Sequence, residues 1–441
     1  WNEQLYLYII KNYFSLHVKK VKKKTEKKKG TEETFNKKLI RHFFLSFISI
    51  SLSFLKKKND GIIYFSYIRG FWNKIKLYIL LGQFPQIFLP TEINRNHFQK
   101  LIPQSHDRKN IFNFSKKKDF RYLINDLNSK IFPLIYLEGF KKLEKISDNL
   151  NFPKKPKFIL TSASPIYKEE VFKLFLAKQI INSSKLLSIQ HGGIYGTEYF
   201  EHSVPRHEID ITDNFLSWGW GKTSKIRKIP SPIILNCTQK YSSNGKILVV
   251  FTSVREQFSY FSTDSLWGER SEIYLRDQIN FLSLIKKKLT NSFDVKMYPD
   301  TKFYQNKVSK EIDKLNKHKK IKKIFHTNNF NEFLSNYNLI IFNYNGTTFL
   351  ESIGTNRPSM MLLNKTIMPH KKSKLFTDLK KVGILHYDKN SLIKKLSNIK
   401  GNIDGWWNSI EVINAKKNFC KMYVKKSDNY LKLYIGAINN L

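Results

Sequence analysis

The chain has little cysteine and, among its basic residues, little arginine. Cys237 and Cys420 are its two cysteines, far apart and in no metal-ligand spacing, which excludes a disulfide scaffold and indicates a reducing compartment. The net charge is +42, but only eleven of the 77 basic residues are arginine. Nucleic-acid readers favour arginine for bidentate contacts, and none of their motifs occurs here. The charge therefore favours contact with anionic substrates or lipid headgroups over specific nucleic-acid binding.

Long apolar runs are also scarce. The run 43–55 is shorter than the ~20 residues that a membrane-spanning helix needs, and three lysines follow it at 56–58. No secretory signal is recognisable. We therefore expect a cytoplasmic protein, with peripheral contact to an anionic membrane as an option.

What the chain does have is an α/β pattern long enough for two domains. Its 441 residues are too many for one ordinary core, and a hydrophobic content of 41% is enough for packed interiors. The strand-like run 157–160, the amphipathic stretch 169–181 and the apolar run 185–190 form one β-loop-α-β unit of a parallel sheet. A turn-rich segment at 222–245 marks a boundary. The sequence thus predicts two Rossmann-like, doubly wound domains facing a cleft. These domains span 1–235, of which 1–60 is lysine-rich, and 244–404, and a helical tail spans 405–441.

The first candidate site follows the strand at 185–190. His191 is followed by Gly192, Gly193 and Gly196. Ligands bind at the carboxyl edge of open α/β sheets, where glycines let backbone N–H groups approach a phosphate or sugar. An imidazole there can move a proton. The alternative is a tight turn with an incidental histidine.

Acidic residues follow these glycines at irregular spacing, which does not indicate a metal site. Glu198 or Glu208 could orient His191 or bind an acceptor hydroxyl. A solvated surface role remains the alternative for each carboxylate.

The second candidate site follows the apolar run 339–342. A polar turn leads to Gly346, Thr347 and Thr348, and Glu351 lies one helical turn further on. The N–H groups and dipole of such a helix start favour a phosphate, and Glu351 could reach a ribose or sugar hydroxyl. The spacing from Thr348 to Glu351 also fits a capping box, which needs no ligand.

An arginine and the glycine pattern bear on which ligand the sites bind. Arg255 follows the strand 246–251, where an arginine could clamp a diphosphate. The glycines at 192–196 do not form G-x-G-x-x-G, which disfavours a nicotinamide cofactor. Two phosphate-type edges suit a transferase with an activated nucleotide donor, in which a base deprotonates an acceptor hydroxyl.

An ordered series of motifs within residues 130–425 resembles a family of transferases from bacterial O-antigen and other surface-carbohydrate clusters. The matching stretches are 133–140, 156–162, 172–173 with Ala177, 190–196, 207–208, 216–220, 343–351, 382–386 and 406–407. That family resembles glycosyltransferases of the GT-B type, which implies an acceptor-side N-terminal domain and a nucleotide-donor C-terminal domain.

The resemblance implies further properties. The enzyme would use a nucleotide-activated sugar as substrate, a saccharide or lipid-linked acceptor, and neither a cofactor nor an obligatory metal. It would work in the cytoplasm or at the inner membrane. His191 would be the base or an acceptor-side residue, and the helix start at 346–351 would hold the donor phosphate and sugar.

Three alternatives remain open from the sequence. Two are enzymes of the same fold class: a polyol-phosphate transferase of the CDP-glycerol type and a nucleotide-sugar epimerase. The third is a non-catalytic binder of anionic polymers, for which the +42 charge is the argument.

Overall fold

The computed structural model describes a defined part of the chain. The described residues are 61–64, 71–81, 83, 101–102, 108, 110–111, 120–150, 152–197, 204–235, 241–252, 269–288, 293–297, 302–316, 321–325, 330–366, 370 and 372–439. The predictions for Glu198, Arg255, the lysine-rich residues 1–60 and the apolar run 43–55 lie outside them.

The strands pair in parallel and alternate with helices, which confirms the predicted α/β class with two Rossmann-like sheets. The strands are β1 (Gly61–Ile63), β2 (Phe158–Thr161), β3 (Lys185–Ile189), β4 (Asn214–Ser217), β5 (Ile226–Lys228), β6 (Lys246–Val250), β7 (Phe293–Lys296), β8 (Lys322–Ile324), β9 (Tyr337–Phe342), β10 (Ser359–Leu362) and β11 (Leu385–His386).

The helices connect these strands and close the chain. They are α1 (Phe71–Leu80), α2 (Phe120–Ile131), α3 (Phe140–Asp148), α4 (Ala163–Lys168), α5 (Glu170–Ile181), α6 (Val204–Ile211), α7 (Glu269–Lys288), α8 (Lys302–Leu315), α9 (Phe330–Leu334), α10 (Thr347–Gly354), α11 (Lys374–Lys381), α12 (Lys389–Ile399), α13 (Ile403–Trp407), α14 (Ile410–Tyr423) and α15 (Tyr430–Asn439). In the described part of the chain, no helix is long and apolar enough to cross a membrane.

The described residues divide into two compact units, of which the first comprises those within 1–65 and 78–185. In this unit β1 pairs with β2, with Gly61 opposite Phe158 and Ile63 opposite Leu160. All four residues of β2 are buried, as expected of a strand covered on both faces. Helix α5 packs against α3.

Helix α5 ends in a Schellman motif. The Ser183 N–H donates to the Ile180 carbonyl at 3.0 Å, and the Ser184 N–H donates to the Gln179 carbonyl at 3.0 Å. These two bonds satisfy carbonyls that the helix end leaves open. They require a left-handed backbone at Ser183, whose φ is 73°. Glycine is the residue that adopts this conformation without a Cβ penalty.

The second unit comprises the described residues within 66–77 and 186–441. In it β3 pairs with β4 and β4 with β5, with Ile189 opposite Leu216 and Phe215 opposite Ile226. The unit also holds the six-stranded sheet, whose order is β11-β10-β9-β6-β7-β8. The order reverses at β6, so the carboxyl ends of β6 and β9, with Val250 opposite Phe342, lie at a topological switch point.

The C-terminal residues are helical, as predicted, and polar contacts fix them to the six-stranded sheet unit. The Trp406 indole donates to the Val382 carbonyl at 3.0 Å, and the Trp407 indole donates to the Asn356 carbonyl at 3.0 Å. The buried Lys416 ammonium donates to Asn356 Oδ1 at 2.9 Å and lies 3.8 Å from the centre of the Trp407 ring. The tryptophan pair therefore anchors the end of the chain.

We expect Ser183→Gly to stabilise the protein by about 1 kcal/mol, because it removes the Cβ penalty at a positive φ. Chemical denaturation of the full chain measures the change. Asn182→Gly is the matched control, since Asn182 has an ordinary φ of −85° and glycine there adds only unfolded-state entropy. Equal effects of the two variants would contradict the explanation.

Candidate functional site

The two loops predicted to carry the site lie against each other. We name residues 190–197, after β3, the histidine loop, and residues 343–348, after β9, the threonine turn. The Gly193 N–H donates to Thr347 Oγ1 at 2.9 Å, and Asn345 Nδ2 donates to Thr197 Oγ1 at 2.9 Å. The fold thus brings together residues about 150 positions apart in the chain.

The glycines of the histidine loop meet different demands. A Cβ on Gly193 would lie 2.5 Å from the carbonyl carbon of Gly346 and 2.5 Å from the nitrogen of Thr347, so only glycine allows this backbone approach. Gly196 has a φ of +75° and lies against the Trp220 ring. At Gly192 a Cβ would make an ordinary contact of 3.5 Å with Tyr195.

A buried glutamine fixes the start of the histidine loop. Gln190 Oε1 accepts the backbone N–H of Trp218 at 2.9 Å and the indole N–H of Trp220 at 2.6 Å. Its amide nitrogen donates to the Gly192 carbonyl at 2.7 Å. Trp218 and Trp220 are both buried, so these two side chains anchor the core and do not offer an open face to a sugar.

His191 is joined to Glu208 through a tyrosine, and we name His191, Tyr195 and Glu208 the histidine relay. The Tyr195 hydroxyl lies 2.8 Å from His191 Nδ1 and donates to Glu208 Oε1 at 2.5 Å. The distance between His191 Nδ1 and Glu208 Oε1 is 3.9 Å. The His191 side chain is 28% exposed and that of Glu208 is fully buried. Solvent therefore reaches the imidazole and not the carboxylate.

Burial sets the protonation of Glu208. Removal from water raises the pKa of Glu208 to about 7, although hydrogen bonds from Tyr195 and Ser188 act in the opposite direction. Ser188 Oγ donates to the second carboxylate oxygen at 3.1 Å. The relay consequently changes its charge near neutral pH.

The threonine turn leads into α10 without a capping box. The helix begins at Thr347, its N-cap is Gly346, and no side chain caps it. The capping alternative for Thr348 and Glu351 is therefore wrong, because Thr348 is already the second helical residue. Its hydroxyl is hydrogen-bonded to the Tyr344 hydroxyl, and Glu351 is buried one turn further on.

The structure thus brings some of the predicted site residues together, and two other predicted site residues lie outside the described part of the chain. Gly193 and Thr347 meet at the loop contact, His191 lies two residues before Gly193 in the same loop, and Tyr195 links His191 to Glu208. Glu198 and Arg255 fall outside the described residues. Sequence reasoning missed the role of Tyr195. Its signal was an aromatic hydroxyl four residues after His191 in a glycine-rich loop.

A protein-family model matches almost the whole chain. The model of the LIC12162 family transferase matches residues 1–438. The chain belongs to the LIC12162 family of transferases. No curated protein matches it.

Solved structures similar to this transferase are remote from it in sequence. MnaA of S. aureus, solved with UDP, is 13% identical, with 69% of this chain and 79% of that chain covered and a TM-score of 0.40. HepE of Anabaena, solved with UDP-glucose, is 9% identical, with 70% and 84% covered and a TM-score of 0.42. The UDP-GlcNAc 2-epimerase of Neisseria meningitidis is 11% identical, with 70% and 82% covered and a TM-score of 0.43.

Gly193→Ala should separate the two loops. Its Cβ would meet backbone atoms that cannot rotate away, so we expect a loss of about 1–3 kcal/mol in the free energy of unfolding. Gly192→Ala is the control and should change stability little. Urea denaturation of both variants measures the difference, and an undisturbed Gly193→Ala protein would contradict the close approach.

Glu208→Gln should alter the pH dependence of stability. Because the pKa of folded Glu208, about 7, lies above its ordinary 4.5, the folded chain holds more protons than the unfolded chain between these values. The Glu208 contribution to wild-type stability therefore declines as pH rises from 4.5 to 7 and is lost above it. The Gln variant should lack this decline.

Denaturation curves at steps from pH 4.5 to 8 test this prediction. The exposed carboxylate of Glu411 provides the control variant, Glu411→Gln. Parallel stability profiles for wild type and Glu208→Gln would show that Glu208 does not titrate in this window.

Proposed function

We propose that this transferase moves a sugar from a nucleotide-activated donor to a hydroxyl of a saccharide or lipid-linked acceptor, in the synthesis of a bacterial surface polysaccharide. The observation that carries the proposal is the contact between Gly193 and Thr347. Gly193 belongs to the loop that carries His191, and Thr347 begins α10, so this contact supports a shared site for the imidazole and the helix start. In direct glycosyl transfer to a hydroxyl, a proton acceptor would activate the hydroxyl and a helix start would stabilise the departing phosphate.

The histidine relay supports His191 as the base. With Glu208 ionised, the Tyr195 hydroxyl donates to the carboxylate and accepts a hydrogen bond from Nδ1–H of His191. This arrangement selects the tautomer in which Nε2 carries the lone pair. Nε2 would take the proton of the acceptor hydroxyl. The acceptor oxygen then bonds to the anomeric carbon as the bond from that carbon to the donor phosphate breaks, and its electron pair leaves with the phosphate.

The start of α10 would stabilise the departing phosphate. Its dipole and first-turn N–H groups favour an anion. A ligand phosphate there would lie next to the histidine loop, since Gly193 contacts Thr347. The proposed donor-binding residues are Arg255, Gly346, Thr347, Thr348 and Glu351, with Glu198 and Glu208 assisting His191 and the glycines 192, 193 and 196 shaping the loop.

The wider setting belongs to the same proposal. Residues 1–235 would form the acceptor side, residues 244–404 the donor side and residues 405–441 a helical tail, with the nucleotide sugar as substrate and no cofactor. The enzyme would work in the cytoplasm, in peripheral contact with the inner membrane. Its lysine-rich surface suits anionic headgroups.

Thermal unfolding with a panel of CMP-, UDP-, GDP- and CDP-linked compounds tests the donor class. A donor at about 100 times its Kd should add ~2.7 kcal/mol of stability. Masses of the products then separate the enzymes: an epimerase leaves the donor mass unchanged, whereas a polyol-phosphate transferase adds a phosphodiester unit. Binding of generic nucleic acid with no response to any donor would replace the proposal by an anionic-polymer binder.

His191→Ala should lower kcat by about 10²–10⁴-fold, the range for loss of a general base. Tyr195→Phe keeps the ring that stacks on Phe215 and removes the hydroxyl, so we expect a smaller loss, about 10–100-fold, with a shifted pH–rate profile. Steady-state kinetics from pH 5 to 9 measures both. Wild-type turnover by His191→Ala would reject the base assignment.

A further inference from the structure

A cavity of about 220 Å³ opens at the carboxyl edge of three adjacent strands of the six-stranded sheet. Its walls follow β9, β10 and β11, and the first half of α7 closes it. Its lining includes Asp277, Gln278, Asn343, Asn364 and Tyr387, and we name this cavity the amide pocket. This volume is below the roughly 300 Å³ of drug-sized sites, so the pocket suits one ring and not a whole nucleotide sugar.

The pocket is lined by amides and carboxylates that are held in place. Asn364 Nδ2 donates to Asp277 Oδ2 at 2.7 Å, and Asn343 donates to Gln278. Asn343 is 1% exposed, yet its Oδ1 accepts no hydrogen bond among the described residues. An unused buried acceptor is costly unless a ligand or water supplies the donor.

Charge and ring contacts in the pocket narrow the ligand class. Its ionisable lining residues include two carboxylates, Asp277 and Asp388, against one ammonium, that of Lys389, which disfavours a phosphate. The Tyr387 ring already has the Lys365 ammonium 3.9 Å from its centre and His370 stacked on it, so it is not an open platform for a nucleobase. Amide and carboxylate oxygens accept hydrogen bonds from hydroxyl groups.

We propose that the amide pocket binds a neutral, hydroxyl-rich single ring, that is, one monosaccharide unit. This inference rests on the proposed function, in which the unit belongs to the donor or to the acceptor. The Asp277 carboxylate accepts hydrogen bonds from its hydroxyls, the Asn364 amide nitrogen donates one to them, and Asn343 Oδ1 accepts one more. Asn343 also begins the threonine turn, so the pocket adjoins the proposed donor phosphate site through a single residue.

Ligand-observed NMR by saturation transfer on the full chain tests binding without requiring turnover. The probes are glucose, galactose, mannose, N-acetylglucosamine and glycerol, with uridine, cytidine, adenosine and guanosine as the competing class. We expect at least one sugar to bind, and to bind at least tenfold more weakly to Asn364→Ala and Asp277→Asn. Loss of nucleoside binding in these variants, or unchanged sugar binding, would overturn the proposal.

Two further variants make the test specific. Leu362→Trp fills the pocket and should abolish the sugar signal, with circular dichroism to confirm folding. Asn418→Ala removes an exposed amide on α14, outside the pocket, and should bind like wild type. His191→Ala should keep the sugar signal although turnover is lost, which separates failure of this inference from failure of the proposed transfer reaction.

Steady-state kinetics then assigns the sugar to its source. If the donor supplies it, Asn364→Ala raises the KM for the donor alone, and if the acceptor supplies it, the KM for the acceptor alone. Unchanged values of both KM would overturn the proposal.

Discussion

The hydrogen bond from the Gly193 amide to the Thr347 hydroxyl is the constraint on which the site depends. It forms only because Gly193 lacks a side chain, so the backbone of one loop can touch the backbone of the other. Gln190 fixes the start of the histidine loop, because its Oε1 accepts hydrogen bonds from the Trp218 backbone N–H and the Trp220 indole N–H. His191 lies between Gln190 and Gly193, so these contacts fix the backbone on both sides of it.

Burial of Glu208 is the second constraint, and it gives the site its electrostatic character. An exposed glutamate would be ionised throughout the neutral range, whereas removal from water raises the pKa of Glu208 to about 7. Since Tyr195 separates this carboxylate from His191, Glu208 acts on the imidazole through a hydroxyl. The proposed base is therefore oriented by a buried group that no substrate can touch.

Periodicity predicted the fold well because strands covered on both faces must be continuously apolar. The runs that became β3, β6 and β9 were recognisable in this way, and so was the turn before α10. The capping box was a wrong alternative. It requires Thr348 to precede the helix, and spacing alone cannot decide on which residue a helix begins.

The sequence by itself determined the α/β class, the parallel sheets, and the two strand ends at which His191 and Thr347 lie. Each of these follows from local patterns of apolar residues, glycines and helix starts. Only the tertiary structure decided that the two loops touch, that Tyr195 links His191 to Glu208, and that an amide-lined cavity opens beside Asn343. The loop contact joins residues 154 positions apart, whereas the bond from Tyr195 to Glu208 spans 13 positions. They depend on strand order and on burial, and neither is encoded in a local pattern.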